Sequence, residues 1–311
     1  MKAVHELPEI FHYWSNKYVR PMEVEFGFSH PDQFFLNNLL ECVKKSNEHL
    51  PAVLSIGSGN CDMEIRLSKE LVQRGVREFV IECLDMNPRM LQRGKSEALQ
   101  HALGEHLIFT EGDFNKWSAT RSYDAIIASH SLHHVVNLEG LFGEIKRGLH
   151  PAGQFIVHDM VGRNGHQRWP EALIEVQRFW KELPREYRYN HQLRRLEETF
   201  QDWDCSVEGF EGIRSQDILP LLLERFDFRF FLGFANVIDV FVDRSFGPHF
   251  RVNKEWDRMF IDRVHEFDEQ AIRSRRLTPT HMMAVLTPGP TDEHVYSRGL
   301  EPRTCVRKSI R

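Results

Sequence analysis

The run Val53-Leu54-Ser55-Ile56-Gly57-Ser58-Gly59-Asn60-Cys61-Asp62 constrains this chain more than any other stretch. A short apolar segment breaks into G-x-G, and apolar residues at helical spacing follow at once: Met63, Ile65, Leu67 and Leu71. The pattern predicts a buried strand, a tight glycine turn and a helix start, the opening unit of a nucleotide-binding α/β fold. Glycines at 57 and 59 let the backbone approach a ligand closely, because a Cβ at either position would stand in the way. The third glycine of a dinucleotide fingerprint is replaced by Asp62. A carboxylate suits the first turn of a helix, but it would repel a pyrophosphate seated there. The turn therefore fits a ligand without phosphates, and S-adenosylmethionine is such a ligand.

The alternation continues beyond this unit. Apolar runs at 79–84, 107–109, 123–128 and 154–157 are separated by helical patterns at 88–103 and 138–149, with Pro151-Ala152-Gly153 as a turn. Strands alternating with helices at this spacing predict an α/β fold, a doubly wound, Rossmann-like parallel sheet. Residues 1–50, rich in aromatics, read as an N-terminal helical cap, and 51–162 as the cofactor-binding core. The aromatic and basic stretch 163–213 reads as an insertion forming a lid or substrate wall. Residues 214–287 complete the core around a second insertion at 243–280, with strand expected over 226–242 and 281–286. The tail, 288–311, lacks a core pattern and is expected to be mobile.

Composition excludes several classes. A formal net charge of -5 argues against a general nucleic-acid binder. No apolar run reaches the length of a membrane span, and Met1-Lys2-Ala3-Val4-His5-Glu6 lacks the apolar core of a secretion signal. The five cysteines are scattered without a C-x-x-C pair, which reads as reduced thiols in a cytoplasmic protein. Nothing in the sequence fixes an oligomeric state.

Asp85 ends the second strand, in Leu84-Asp85-Met86-Asn87-Pro88. An acidic residue one βα unit after the glycine turn can accept hydrogen bonds from both ribose hydroxyls; the alternative is a helix cap. After the third strand, Asp113 can accept from an adenine amino group while Phe114 walls the ring, or Gly112-Asp113 is an ordinary turn. Gly57, Ser58, Gly59, Asp85, Met86, Asp113, Phe114, Ser129 and His130 are the candidate cofactor-binding residues. These motifs resemble the class I S-adenosylmethionine-dependent methyltransferases over roughly residues 50–160. The resemblance implies a seven-stranded sheet with its last strand antiparallel and the cofactor across the carboxyl ends of the first strands. Two positions depart from that pattern: Ser55 replaces the acidic residue usual two places before the first glycine, and Cys61 replaces a third glycine.

The fourth strand ends in Ser129-His130-Ser131-Leu132-His133-His134, and the fifth in Val157-His158-Asp159. Carboxyl ends of neighbouring parallel strands converge on one crevice. An imidazole beside a carboxylate there can take a hydroxyl proton, so His133, His134 and Asp159 are the candidate catalytic residues. The set is similar to that of methyltransferases acting on sugar hydroxyls. The expected reaction is methyl transfer from S-adenosylmethionine to a hydroxyl of a small molecule or glycan. Alternatives are N-methylation of an amine, a nicotinamide-dependent oxidoreductase and a non-catalytic binding protein. Three clustered histidines also raise a metal site, but no carboxylate or cysteine completes a local set, so no metal is expected. Arg214 can hold a substrate carboxylate or brace its helix.

Overall fold

The computed structural model describes residues 6–46 and 50–307; the expectation about the first five residues lies outside them. Helices α1 (Glu9–Trp14) and α2 (Arg20–Glu25) are joined through a π-type turn, and α3 (Pro31–Lys45) follows. The core runs β1 (Ala52–Ile56), α4 (Asp62–Gln73), β2 (Val80–Asp85), α5 (Pro88–Gln100), β3 (Leu107–Glu111), β4 (Tyr123–Ser129), α6 (Leu138–Gly148), β5 (Leu149–Met160). Helix α7 (Pro170–Trp180) and a small hairpin of β6 (Tyr189–Asn190) and β7 (Arg195–Leu196) make up the insertion. Then come α8 (Ser215–Arg225), β8 (Asp227–Phe234), α9 (Asp239–Val242), α10 (Glu255–Arg273), β9 (His281–Thr287) and β10 (Val295–Tyr296).

The main sheet has the order β10-β8-β9-β5-β4-β1-β2-β3. Strands β1 to β5 pair in parallel, and β9 lies antiparallel between β5 and β8. Every residue of β1 is buried, as expected for a central strand covered by helices on both faces. The Pro151-Ala152-Gly153 turn is a bulge inside β5: Tyr123 pairs with Leu149, but Ala125 already pairs with Gln154. The strand expected to reach 242 stops at Phe234, because Ala235 turns into the left-handed region at φ 58°. The Asp268 carboxylate then takes the backbone N–H groups of Asn236 and Val237 at 2.8 and 3.0 Å, which fixes the bend.

The two insertions, distant in sequence, pack as one aromatic layer. Phe179 on α7 meets Phe241, Phe260 and Phe267 edge-on, and Trp180 meets Phe200 and Phe246. The N-terminal helices join this layer through Asp262, which accepts from the hydroxyls of Tyr13 and Tyr18 at 3.0 and 2.8 Å. Among the described residues no helix is long and apolar enough to cross a membrane.

The expected mobile tail is instead packed, down to Arg307. Val295 and Tyr296 pair in parallel with Phe230 and Phe231, so β10 is an eighth strand beyond the expected seven. Leu300 and Cys305 are buried, and Arg307 pairs with Glu171 of α7 at 2.8 Å. Too few apolar residues, too widely spaced, carry these contacts for a periodic pattern to register. Leu300→Ala is therefore expected to cost about 2–3 kcal/mol in urea unfolding. A loss under about 0.5 kcal/mol, the usual surface effect, would return the tail to a mobile segment.

Candidate active site

The glycine turn hangs from the end of β2: the N–H groups of Gly57 and Ser58 both donate to the Leu84 carbonyl, at 2.9 and 3.2 Å. Gly57 sits at φ 70°, and a Cβ there would lie 2.6 Å from the Ser131 Cβ. Glycine is required twice over, for conformation and for space. Cys61 sits at φ 62° just ahead of α4, so the residue that replaces a third glycine keeps a glycine-like backbone. Asp85 accepts the Gly59 and Asn87 N–H groups, each at 2.8 Å, one on each oxygen. The helix cap is Asn87, whose side chain accepts from Arg89 and Met90. Asp85 thus faces the glycine turn with acceptor capacity left on both oxygens.

Ser58 and Ser129 flank a cleft of about 220 Å³ together with Ser55, Gly57 and Glu64. Met86 is half exposed and Phe114 buried at neighbouring strand ends. Asp113 accepts from the backbone and side chain of Asn115 at 2.9 and 3.0 Å, and those bonds hold its carboxyl below the ordinary range. His130, at φ 50°, donates its backbone N–H to the His158 carbonyl at 2.8 Å.

Glu64 was not singled out in the sequence. It belongs to the buried stripe of α4 with Leu67, Ser68 and Leu71, and a carboxylate at positions i, i+3, i+4, i+7 of an apolar face is a readable anomaly. The Ser55 hydroxyl donates to it at 2.5 Å. Burial pushes its carboxyl up to about 7, the Ser55 bond opposing that rise. A carboxyl from α4 thus lies against position 55.

On the other side of the crevice, Asp159 is fully buried at the end of β5. It accepts the N–H groups of Ser131 and Leu132 at 2.9 and 2.8 Å and the Nδ1 of His133 at 2.6 Å. Burial opposes its charge, but the His133 imidazole and the backbone donors prevail and hold its pKa well below the carboxylate range. Burial likewise lowers the affinity of His133 for a proton, yet Asp159 and Glu211 raise it above the ordinary value. His134 lies beside it with ring centres 4.1 Å apart. Its Nδ1 meets the Phe210 carbonyl at 3.3 Å, not Asp159. Burial and the neighbouring His133 lower its pKa.

Two members of this cluster went unmarked in the sequence, His166 and Glu211. Both belong to the 163–213 insertion, whose ends are stitched together where Gly165 N–H donates to the Gly212 carbonyl at 2.8 Å. Ile213 N–H donates to the His133 carbonyl at 3.0 Å and fastens the returning chain beside the turn. Glu211 Oε1 thereby lies 2.7 Å from His166 Nε2 and 3.6 Å from His133 Nε2. Each residue stands next to a glycine at positive φ, the one local trace they leave in the sequence. Arg214 spans Glu139 and Asp217 at 2.6 and 2.8 Å, so it braces α8.

A family profile described as "Methyltransferase domain" matches residues 47–216. The chain belongs to this methyltransferase family. Its curated relatives include sterol 24-C-methyltransferase of Neurospora crassa, 36% identical over 77 residues, which are 24% of this chain and 20% of that protein. The sterol 24-C-methyltransferase of Eremothecium gossypii is 26% identical over 145 residues, 44% of this chain and 39% of that one. The chain thus spans from a fifth to two fifths of these relatives. Among solved structures, the O-methyltransferase of a Brevibacillus brevis trans-AT polyketide synthase, in complex with S-adenosylhomocysteine, superposes with TM-score 0.49 and 16% identity. That superposition covers 90% of this chain and 80% of the other.

The glycine turn generates one prediction. Gly57→Ala combines a left-handed backbone with the 2.6 Å encounter at Ser131, and is expected to cost about 1–3 kcal/mol. Thermal denaturation reads this, and an unchanged Tm would mean that the turn and the 131–134 segment do not pack as described.

Proposed function

We propose that the protein transfers the methyl group of S-adenosylmethionine to a hydroxyl of a small-molecule acceptor. The cofactor's adenosine would lie along Gly57, Gly59, Asp85 and Asp113, and its amino-acid end would reach Glu64. The observation that carries the hydroxyl reading is the Asp159–His133 pair. Asp159 accepts from Nδ1, so the tautomer leaves the lone pair on Nε2, toward His166 and Glu211. An acceptor hydroxyl there can pass its proton to Nε2 as its oxygen attacks the methyl carbon. The C–S bond breaks, and S-adenosylhomocysteine departs as a neutral thioether. The sulfonium is already an activated leaving group, so positioning does most of the work. Phe210 and Val207, both well exposed on the returning insertion, favour an acceptor with an apolar body. The C-methyltransferases among the relatives support a second reading, a carbon nucleophile, which needs the same base; NMR of the methylated product separates the two.

Asp159→Asn and His133→Gln are expected to lower turnover by about 10²–10⁴-fold, and His133→Gln, which leaves the Asp159 backbone bonds in place, is expected to keep S-adenosylhomocysteine affinity within about twofold of wild type. His134→Ala, which loses contacts to the Phe210 carbonyl, Glu211 and the His133 ring but none to Asp159, is expected to fall by much less. Wild-type rates in all three would move N-methylation of an amine ahead.

Glu64 gives a pH test. Its carboxyl is pushed up to about 7, so it is mostly neutral at pH 6 and ionised at pH 8. Only the ionised form attracts the cofactor's ammonium group. Calorimetric affinity for S-adenosylhomocysteine should rise by up to about tenfold between those pH values, and Glu64→Gln should flatten the rise. A rise that survives the substitution would remove Glu64 from the cofactor site.

A further inference from the structure

The cluster on the acceptor side has a composition that proton transfer alone does not require. A ring nitrogen of His133, a ring nitrogen of His166 and a Glu211 carboxylate oxygen all lie within 4.8 Å of one another, and Glu211 Oε1 faces the Nε2 atoms of both histidines. Ligands around a tetrahedral zinc ion at about 2.0–2.1 Å sit about 3.3–3.4 Å apart, so side-chain shifts that change the separations by a few tenths of an ångström to at most about 1.5 Å bring the set to that spacing. His133 is already prepared as a ligand. Its Nδ1 is bonded at 2.6 Å to a carboxylate that is itself fully buried and held by three backbone N–H groups. A carboxylate behind a histidine fixes the ring and raises the basicity of the other nitrogen, the arrangement that stands behind histidine ligands of metal ions.

The geometry points to a binding site for a divalent first-row transition ion, of which zinc is the probe, held by His133, His166 and Glu211 with Asp159 as the orienting carboxylate. Two imidazoles and one carboxylate suit such an ion and not magnesium or calcium, which prefer oxygen donors. The three ligands come from three places in the chain, the 132–134 turn and the two ends of the 163–213 insertion. The ion would therefore clamp the insertion over the crevice.

What the ion would contact rests on the acceptor-side reading above. Three protein ligands leave a coordination position for an acceptor oxygen. A bound ion would engage the His133 lone pair and would supply Lewis-acid activation of an acceptor hydroxyl, in place of direct proton transfer to the imidazole. The hydroxyl proton would pass to water on the half-exposed His134 side, and the oxygen lone pair would form the C–O bond as the C–S bond of the sulfonium breaks.

The test uses the full chain stripped with a chelator and dialysed, titrated calorimetrically with zinc chloride and, separately, with magnesium chloride. One equivalent of zinc is expected to bind with micromolar or tighter affinity. His166→Ala and Glu211→Gln should each weaken that binding at least tenfold, and Asp159→Asn should weaken it about 10–100-fold. Magnesium should give no saturable heat. Cobalt, taken up in place of zinc, should show visible absorption bands that Glu211→Gln abolishes. Absence of a one-equivalent zinc isotherm, zinc binding that His166→Ala and Glu211→Gln leave intact, or magnesium binding of equal strength would each overturn the proposal. The same stripped protein titrated with S-adenosylhomocysteine reports on the cofactor separately, so a failed metal site and a failed methyltransferase reading give different results.

Discussion

A single buried carboxylate organises one side of the crevice. An ionised Asp159 with no solvent contact would be prohibitively unstable alone; it persists because donors surround it on both oxygens. Two of those donors open the Ser131–His134 turn, so the charge fixes the turn, and the turn fixes His133. The insertion then returns to bond the His133 carbonyl. Without this charge, the β4 and β5 ends would have no reason to hold an imidazole in place or to anchor the chain that brings Glu211.

The two sides of the crevice are built from different materials. On the glycine side the groups that line the cleft are largely backbone, with Asp85 tying the turn to the second strand. On the other side the groups are side chains drawn from distant segments. The sides touch where Ser131 fills the space above Gly57. A shift of the histidine turn is therefore felt at the glycine turn through steric contact alone.

This division explains what the sequence reveals. A backbone turn leaves local marks: Gly57, Gly59 and Asp85 sit at fixed offsets from apolar runs, and the parallel sheet follows from the period of those runs. His133 and Asp159 were legible because strand ends converge in a doubly wound sheet. The pairing itself, Asp159 with His133 and not His134, depends on a turn of three residues that no period encodes. His166 and Glu211 lie 45 residues apart in an insertion without regular pattern, and only the closing of that insertion on itself brings them together. Glu64 was readable as a charge on an apolar stripe, but its meaning depends on Ser55 lying opposite. The tail leaves no such pattern because its anchors are single residues separated by polar turns.

The paired tail also bears on how the chain behaves in a crowded solution. Strand β8, Asp227–Phe234, is the last long strand on its side of the sheet and carries four phenylalanines. An uncovered edge of that composition is a template for pairing with another chain and a route to aggregation. The two residues of β10 occupy part of it, and the Tyr296 hydroxyl and His294 ring reach the Phe228 carbonyl at 3.3 and 2.9 Å. The segment around β10 thus bears on colloidal stability as well as folding stability: it is a short cover over part of an aromatic strand.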